Sequence, residues 1–484
     1  MASVSKKKVV TGVKWTALNT LINAIVQPVY RIFLAILLLP GEFAYIAVVM
    51  LIVGFARLLN NMGLGEAIVQ RDDISSRQVS SVFFFNFLIT VILSALLYFL
   101  SPLIADYYTL PDLTTYINIL IITVFFYGVT SVFRFYLQRE FQFKFIAVSQ
   151  IVKNLIDLAV GLTLVLLGFG VLGFVIGLTA ASAINGLLML YGAVRITKLP
   201  LHLRMSWADV APLLEFSIYV SAKKALTYVT HRVDEIVIGG TLSPEVLGAY
   251  FLGKDMLLNL QTVLTMAYSQ ILLPLFSRLK HDTQKLKETY YQINYYIALI
   301  TIPMFVGISL TAHLWVLAIF GQEWERSIIV FQVLPIAMIF LTLTANVSTS
   351  LLYSLNQPKI VLKIDVAATA VYLGILYFVS DLTMAAILFI YSGYLIAKTI
   401  VIQLFVSKYL NKNLLKYFFD FYRILLSVAV MGAVFLAVEL TVDISGNLWI
   451  VIPFILVLGM VYALSELIID RKQTRKLIKT FLKK

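Results

Sequence analysis

Ten basic side chains stand inside stretches that are otherwise apolar: Arg31, Arg57, Arg134, Lys153, Lys223, Lys224, Arg232, Lys254, Lys398 and Arg423. A charge at mid-membrane costs about 2.5–3.5 kcal/mol on insertion scales, so such groups mark a partner or an aqueous pathway. Arg57, Arg134, Lys223 and Arg423 lie near the ends of their stretches, where a long side chain reaches water along its own stem. Arg31, Lys153, Arg232, Lys254 and Lys398 lie deeper. Guanidinium and ammonium groups bind phosphate oxygens, and arginine does so through two parallel hydrogen bonds. The chemistry on offer is capture of an anion such as a diphosphate. Other chemistries lack their residues. The chain has no cysteine, and His202, His231, His281 and His313 are never spaced as a ligand pair, so thiolate catalysis, disulfides and a zinc site are not expected. No phosphate-binding loop ending in Gly-Lys-Ser/Thr occurs, which removes ATP as the direct energy source. Asp72 and Asp73, superficially a metal-binding pair, share a loop with Arg71 and Arg77 and read as a solvated turn.

Two helices carry the polar groups as stripes. At 100° per residue, Ser217, Ser221, Lys224, Tyr228, His231, Arg232 and Glu235 fall within roughly 100° of arc, and Thr16, Asn19, Thr20, Asn23, Gln27, Tyr30 and Arg31 within about 120°. Two such helices predict a hydrophilic cleft. Arg31 lies roughly 12 Å from the outer end of its span. Arg232 and Lys254 lie comparably deep, so the three are expected to form one basic layer, with Asp234, Glu235 and Asp255 near enough to neutralise part of it. The candidate substrate-binding set is Arg31, Arg57, Arg232, Lys254, Lys224, His231, Glu235, Asn23 and Gln27. Lys153 and Asp157, at i and i+4, read as an intrahelical ion pair. Pro28, three residues before Arg31, is a hinge candidate.

The elements that position these residues follow from composition. Of 484 residues, 61% are apolar and 13% charged, with a mean hydropathy of +0.93. A soluble domain is roughly 45–50% apolar and 25% charged, so this chain needs lipid as its solvent. The fold class is all-α, a polytopic membrane protein of about fourteen transmembrane helices. The spans fall near 14–39, 42–62, 81–105, 114–137, 144–168, 171–195, 215–240, 246–277, 288–312, 328–355, 359–380, 383–407, 417–440 and 447–469. The first is read as an uncleaved span following the basic run Lys6-Lys7-Lys8. With the N-terminus inside, 27 Lys and Arg residues fall in inner segments and one, Arg326, in an outer loop. The outer loops hold acids instead, among them Glu42, Asp106, Glu323, Asp381 and Asp443. That bias places both termini in the cytoplasm of a cell whose plasma membrane the chain crosses. It also accounts for the formal charge of +13 without nucleic acid as a partner. The short outer loops leave no room for the catalytic groups of a sugar-chain polymerase or ligase, so no enzyme activity is expected.

A faint repeat joins the turn Pro40-Gly41-Glu42-Phe43-Ala44-Tyr45 to Pro244-Glu245-Val246-Leu247-Gly248-Ala249-Tyr250. Six spans separate the copies, which implies two parallel lobes related by an axis along the membrane normal. The expected division is 1–205, an N-terminal six-helix lobe; 206–410, a second six-helix lobe; and 411–484, two further helices with a basic cytoplasmic tail.

The stretch Tyr30-Arg31-Ile32-Phe33-Leu34-Ala35, the turn to Ala44-Tyr45, and Asn61-Met62-Gly63-Leu64-Gly65-Glu66-Ala67-Ile68-Val69-Gln70-Arg71-Asp72 resemble the oligosaccharide flippases of polysaccharide biosynthesis, those of teichuronic and colanic acid type in particular. So does Arg232-Val233-Asp234-Glu235-Ile236-Val237-Ile238-Gly239-Gly240 followed by Leu247-Gly248-Ala249-Tyr250. The resemblance places the chain beside lipid II flippases and multidrug and toxin extruders. It implies two six-helix lobes in a V and alternating access. The implied substrate is an oligosaccharide on an undecaprenyl-type polyprenyl pyrophosphate, carried to the outer leaflet. It also implies that basic groups on the first, second and eighth helices matter, which Arg31, Arg57 and Lys254 match. Membrane lipids and the polymerase and glycosyltransferase machinery are the expected surroundings, a monomer the expected state. No cofactor is expected, and coupling to a proton or sodium gradient stays open. The alternatives are a cation antiporter of the same superfamily, against which the surplus of deep bases argues, and a lipid II flippase.

Overall fold

The computed structural model describes residues 6–61, 63–71, 73–200, 202, 205–379, 382–442 and 447–471. Met62, Asp72, Arg204, Asp381, Asp443 and the basic tail from Lys472 onward lie outside the described residues, as does whatever was expected of them.

Helix starts are written into short polar turns. Ser75 accepts from the Gln78 amide at 3.2 Å while its own N–H donates to Gln78 Oε1 at 3.0 Å, a reciprocal capping box. Asp282, Thr383 and Asn447 accept from the first-turn amides of Lys285, Ala386 and Trp449 in the same way. The described elements are helical throughout. Contacts divide the chain into two compact units, 1–251 and 252–484.

The first unit holds α1 (Lys6–Leu37), α2 (Pro40–Asn61), the short α3 (Leu64–Gln70), α4 (Ser76–Tyr107), α5 (Leu113–Arg139), α6 (Phe143–Leu164), α7 (Gly170–Tyr191) and α8 (Trp207–Thr241). α1 runs unbroken through Pro28. The chain between 143 and 196 is one apolar stretch of 54 residues. A straight helix of that length would measure about 81 Å, far beyond a core of roughly 30 Å. It folds back instead at Gly168, whose φ of +88° suits a residue without a side chain. The two arms meet at backbone distance, since a Cβ on Gly177 would stand 2.6 Å from the Gly161 Cα. α8 docks on its unit through polar ties. Asp209 pairs with Arg77 at 3.4 Å and accepts from Ser81 at 3.1 Å, and Arg71 donates to the Pro212 carbonyl at 3.1 Å.

The two copies of the repeated turn touch. A Cβ on Gly248 would stand 1.7 Å from the Pro40 carbonyl oxygen, and one on Gly41 would meet Glu245 Oε1 at 3.5 Å. The start of α9 (Pro244–Leu279) therefore packs directly on the start of α2, and α9 then runs across the boundary into the second unit.

The second unit adds α10 (Thr283–Phe320), α11 (Ile328–Phe340), α12 (Asn346–Ser354), α13 (Pro358–Phe378), α14 (Met384–Tyr409), the short α15 (Leu414–Phe419), α16 (Tyr422–Glu439) and α17 (Leu448–Ile469). A buried polar knot ties four of them: Tyr290 Oη lies 2.7 Å from both Ser348 Oγ and Gln403 Oε1, and Tyr417 donates to Asn294 at 3.1 Å. α16 and α17 lean on α10 through Tyr462 to the Leu299 carbonyl at 2.8 Å and through Glu466, which accepts from Ser427 at 2.7 Å and from Tyr295 at 3.2 Å.

The fourteen expected spans overlap helices among the described residues, with 417–440 taking in the break between α15 and α16. Among the described residues, eleven helical stretches are long and apolar enough to cross a membrane, or twelve with the bent α9 counted as one. The stretch 143–196 counts once in that number although it folds as two arms. α8 is not among them, because its polar stripe dilutes its apolar content. The protein is a multi-pass helical membrane protein.

Candidate functional site

Inside the first unit, α1, α2, α5, α6 and α7 enclose a cavity of about 370 Å³, within the range of roughly 300–1,000 Å³ typical of small-ligand sites. Its lining carries four cationic side chains, Arg31, Arg57, Arg134 and Lys153, against one carboxylate, Asp157. Arg31 is only 4% exposed. Its guanidinium carbon lies 5.4 Å from the Phe174 ring centre and 6.0 Å from that of Phe251. The aromatic faces hold the cation in place and accept its charge. Arg57 stacks over Tyr127 at 4.3 Å and donates to its hydroxyl.

The rest of the lining is rich in carboxamides: Asn23, Gln27, Asn60, Gln150, Asn154 and Asn185. Asn154 donates to Asn23, and Asn23 to Asn19 at 3.2 Å, so α1 and α6 share one chain of amides. Four buried polar atoms of this lining have no hydrogen-bond partner among the described residues: Tyr30 Oη, Asn60 Nδ2, Asp157 Oδ1 and Asn185 Oδ1. A buried polar atom left unmatched costs about 1–3 kcal/mol, so a cluster of them around one cavity calls for a polar occupant or water. The arrangement can hold a phosphate on the guanidinium forks and sugar hydroxyls on amides that both donate and accept.

The residues singled out by sequence divide between two places. Asn23, Gln27, Arg31 and Arg57 line this cavity. Lys224, His231, Arg232 and Glu235 lie on α8, outside its lining. Lys224 pairs there with Glu66 of α3, and Arg232 Nη1 reaches both oxygens of Glu235, at 2.8 and 2.7 Å. Lys254 lies in the second unit, fully buried, its ammonium 4.6 Å from the Tyr391 ring centre. Lys153 and Asp157, expected as a closed ion pair, instead both face the cavity, with Asp157 Oδ1 unpartnered. Arg134 and Lys153, interior bases in the sequence, also line the cavity, and Tyr127, Asn60, Asn154 and Asn185 join them without being foreseen. The usable signal was a single amide standing in each of several apolar helices.

The sequence profile of a family described as polysaccharide biosynthesis protein matches residues 33–329. The chain is 23% identical over 444 residues to the teichuronic acid biosynthesis protein TuaB of Bacillus subtilis, covering 92% of this chain and 91% of that one. It is 26% identical over 370 residues to the lipopolysaccharide biosynthesis protein WzxC of Escherichia coli, covering 76% and 74%. In fold it is similar to an inward closed lipid II flippase MurJ, with a TM-score of 0.77 over 96% of this chain and 99% of that one at 15% identity. It also resembles an inward-facing multidrug transporter of the MATE family, with a TM-score of 0.59 over 82% and 98% at 16% identity.

Proposed function

Because the chain belongs to the polysaccharide biosynthesis protein family, we propose that it is a flippase for a lipid-linked oligosaccharide. The substrate is a glycan on a polyprenyl diphosphate of undecaprenyl type. The direction is from the cytoplasmic to the outer leaflet of the plasma membrane, with both termini on the cytoplasmic side. The observation that carries this reading is the cavity with four cations, one carboxylate and six carboxamides. A diphosphate sheds water on entering the protein, and fixed guanidinium groups replace that hydration. The amides take the first sugar. A cation antiporter would set carboxylates where these bases stand, so the sign of the lining speaks against that reading. The protein moves its substrate without breaking bonds in it, works as a monomer, and draws on a proton or sodium gradient or on removal of the substrate outside. Glycosyltransferases supply the cargo and polysaccharide polymerases consume it.

The test is a deletion strain. Loss of the protein is expected to stop surface polysaccharide and to leave lipid-linked oligosaccharide accumulating on the cytoplasmic face, with the wild-type gene restoring both. Normal polysaccharide without accumulation overturns the reading.

A further inference from the structure

The second unit holds a concavity of a different kind. Between α13 and α14 runs an apolar groove of about 580 Å³. It exists because facing residues are small: Ala367 and Ala368 on α13, Gly393 and Ala397 on α14. A Cβ built on Gly393 would meet nothing within 4 Å. From Lys363 to Ile375, both in the lining, α13 climbs about 18 Å, more than half of the roughly 30 Å hydrocarbon core.

The groove is not uniformly apolar. Lys363 stands exposed at one end. Farther in, Lys398 pairs with Asp365 at 2.8 Å, so this second lysine is neutralised and Lys363 is the cation left exposed at the mouth among the described residues. The groove wall also continues into the unit as a ladder of rings. Tyr394 stacks on Tyr372 at 4.8 Å and on Tyr391 at 6.3 Å, and the Lys254 ammonium lies 4.6 Å from the centre of the Tyr391 ring. The apolar groove thus backs, through two tyrosines, onto a buried cation of the candidate substrate set.

We propose that this groove seats the isoprenoid chain of the lipid-linked substrate during loading, with the diphosphate end resting at Lys363 before the cavity takes it up. The proposal rests on the flippase reading. A lipid with an anionic phosphate head and a long apolar chain matches a groove with one cation at its mouth. The notches left at Ala367, Gly393 and Ala397 take methyl branches, which a polyprenyl chain has and a straight acyl chain lacks. On the orientation drawn from the loop charges, Lys363 lies at the cytoplasmic surface, where the substrate is loaded.

The full-length protein in vesicles of phosphatidylcholine and phosphatidylglycerol is photolabelled with a polyprenyl diphosphate carrying a diazirine in its chain, and separately with diazirine-tagged phosphatidylglycerol. The prenyl probe is expected to label peptides of α13 and α14, to be displaced by unlabelled polyprenyl diphosphate, and to lose that labelling in Gly393→Phe and in Ala397→Phe. Gly393→Ala, which leaves the groove open, is expected to label as wild type. Both Phe variants are first checked for monodisperse elution, and one that aggregates is set aside in favour of the other or of the displacement result. Labelling by the phospholipid probe alone, no displacement, or full labelling in a folded Phe variant overturns the proposal. Failure of the flippase reading shows separately, as absence of accumulated lipid-linked oligosaccharide in the deletion strain.

Discussion

Asp157 is the single carboxylate in a lining that also holds Arg31, Arg57, Arg134 and Lys153, and it sets how tightly an anion is held there. Removing its charge while keeping its shape takes the one carboxylate out of a lining with four cations. Asp157→Asn is expected to tighten binding of pyrophosphate to the purified protein by about tenfold, or ~1.4 kcal/mol, and to slow transport because release becomes limiting. Isothermal titration paired with complementation of a flippase-null strain checks both halves; weaker binding would show that Asp157 orients the bases rather than tempering them. Arg31→Glu reverses the charge at the most enclosed arginine of the lining and is expected to abolish complementation at normal protein abundance. Arg31→Lys is expected to retain part of the activity, since the charge survives and the two-pronged geometry does not. Normal transport by Arg31→Glu would make this residue structural. The deep bases were legible in the sequence because each is a costly group in an apolar run. Their grouping was not. Spacing of i and i+4 on α6 suggested that Lys153 and Asp157 close on each other, but the face they share is turned to the cavity, where other cations compete for the same carboxylate.

At the scale of elements, α8 shows how a correct pattern can point away from this cavity. Its polar stripe exists, yet Lys224 meets Glu66 and Arg232 meets Glu235, so one base is answered from α3 and the other by an acid of α8 itself. The partner Glu66 sits on α3, a seven-residue helix too short to be foreseen from periodicity. The hairpin of α6 and α7 was legible as two spans, because no single helix of that length fits a bilayer. Its close approach went unread, although Gly173 and Gly177 stand four residues apart, the spacing at which membrane helices touch. Gly177→Val is expected to force the arms apart and lower the melting temperature in detergent, with a cost of about 1–3 kcal/mol for overpacking. Gly374→Ala, at a position with nothing within 4 Å, is the matched control and is expected to melt as wild type. Equal melting of the two variants would refute the backbone contact.

For the whole molecule, the absence of native cysteine makes topology directly measurable. Lys280→Cys is expected to react with a membrane-impermeant maleimide only after the cells are opened, as is a cysteine at Lys198. A cysteine replacing Glu323 is expected to react in intact cells. Labelling of position 280 from outside would invert the orientation and the direction of transport with it. The succession of apolar helices and the charge bias between loops were readable because lipid imposes them on every residue of the chain. Where the chain divides into units depends on which helix ends touch, and that information lies in contacts between residues about two hundred positions apart.

The contact of Gly248 with Pro40 also sets a schedule. The turn after the first helix is among the earliest parts of the chain to leave the ribosome, and the backbone that covers it is made about two hundred residues later. A chain halted after residue 205 has neither α8 nor the start of α9 to place against α2, α3 and α4. At about 5–20 residues per second, the missing 46 residues take roughly 2–9 s to arrive. Over those seconds the nascent first unit stands in the bilayer with polar helix faces unmatched and the start of α2 uncovered. Membrane proteases therefore have a window, and a fragment ending at 205 is expected to be cleared in a pulse-chase while one ending at 251 persists.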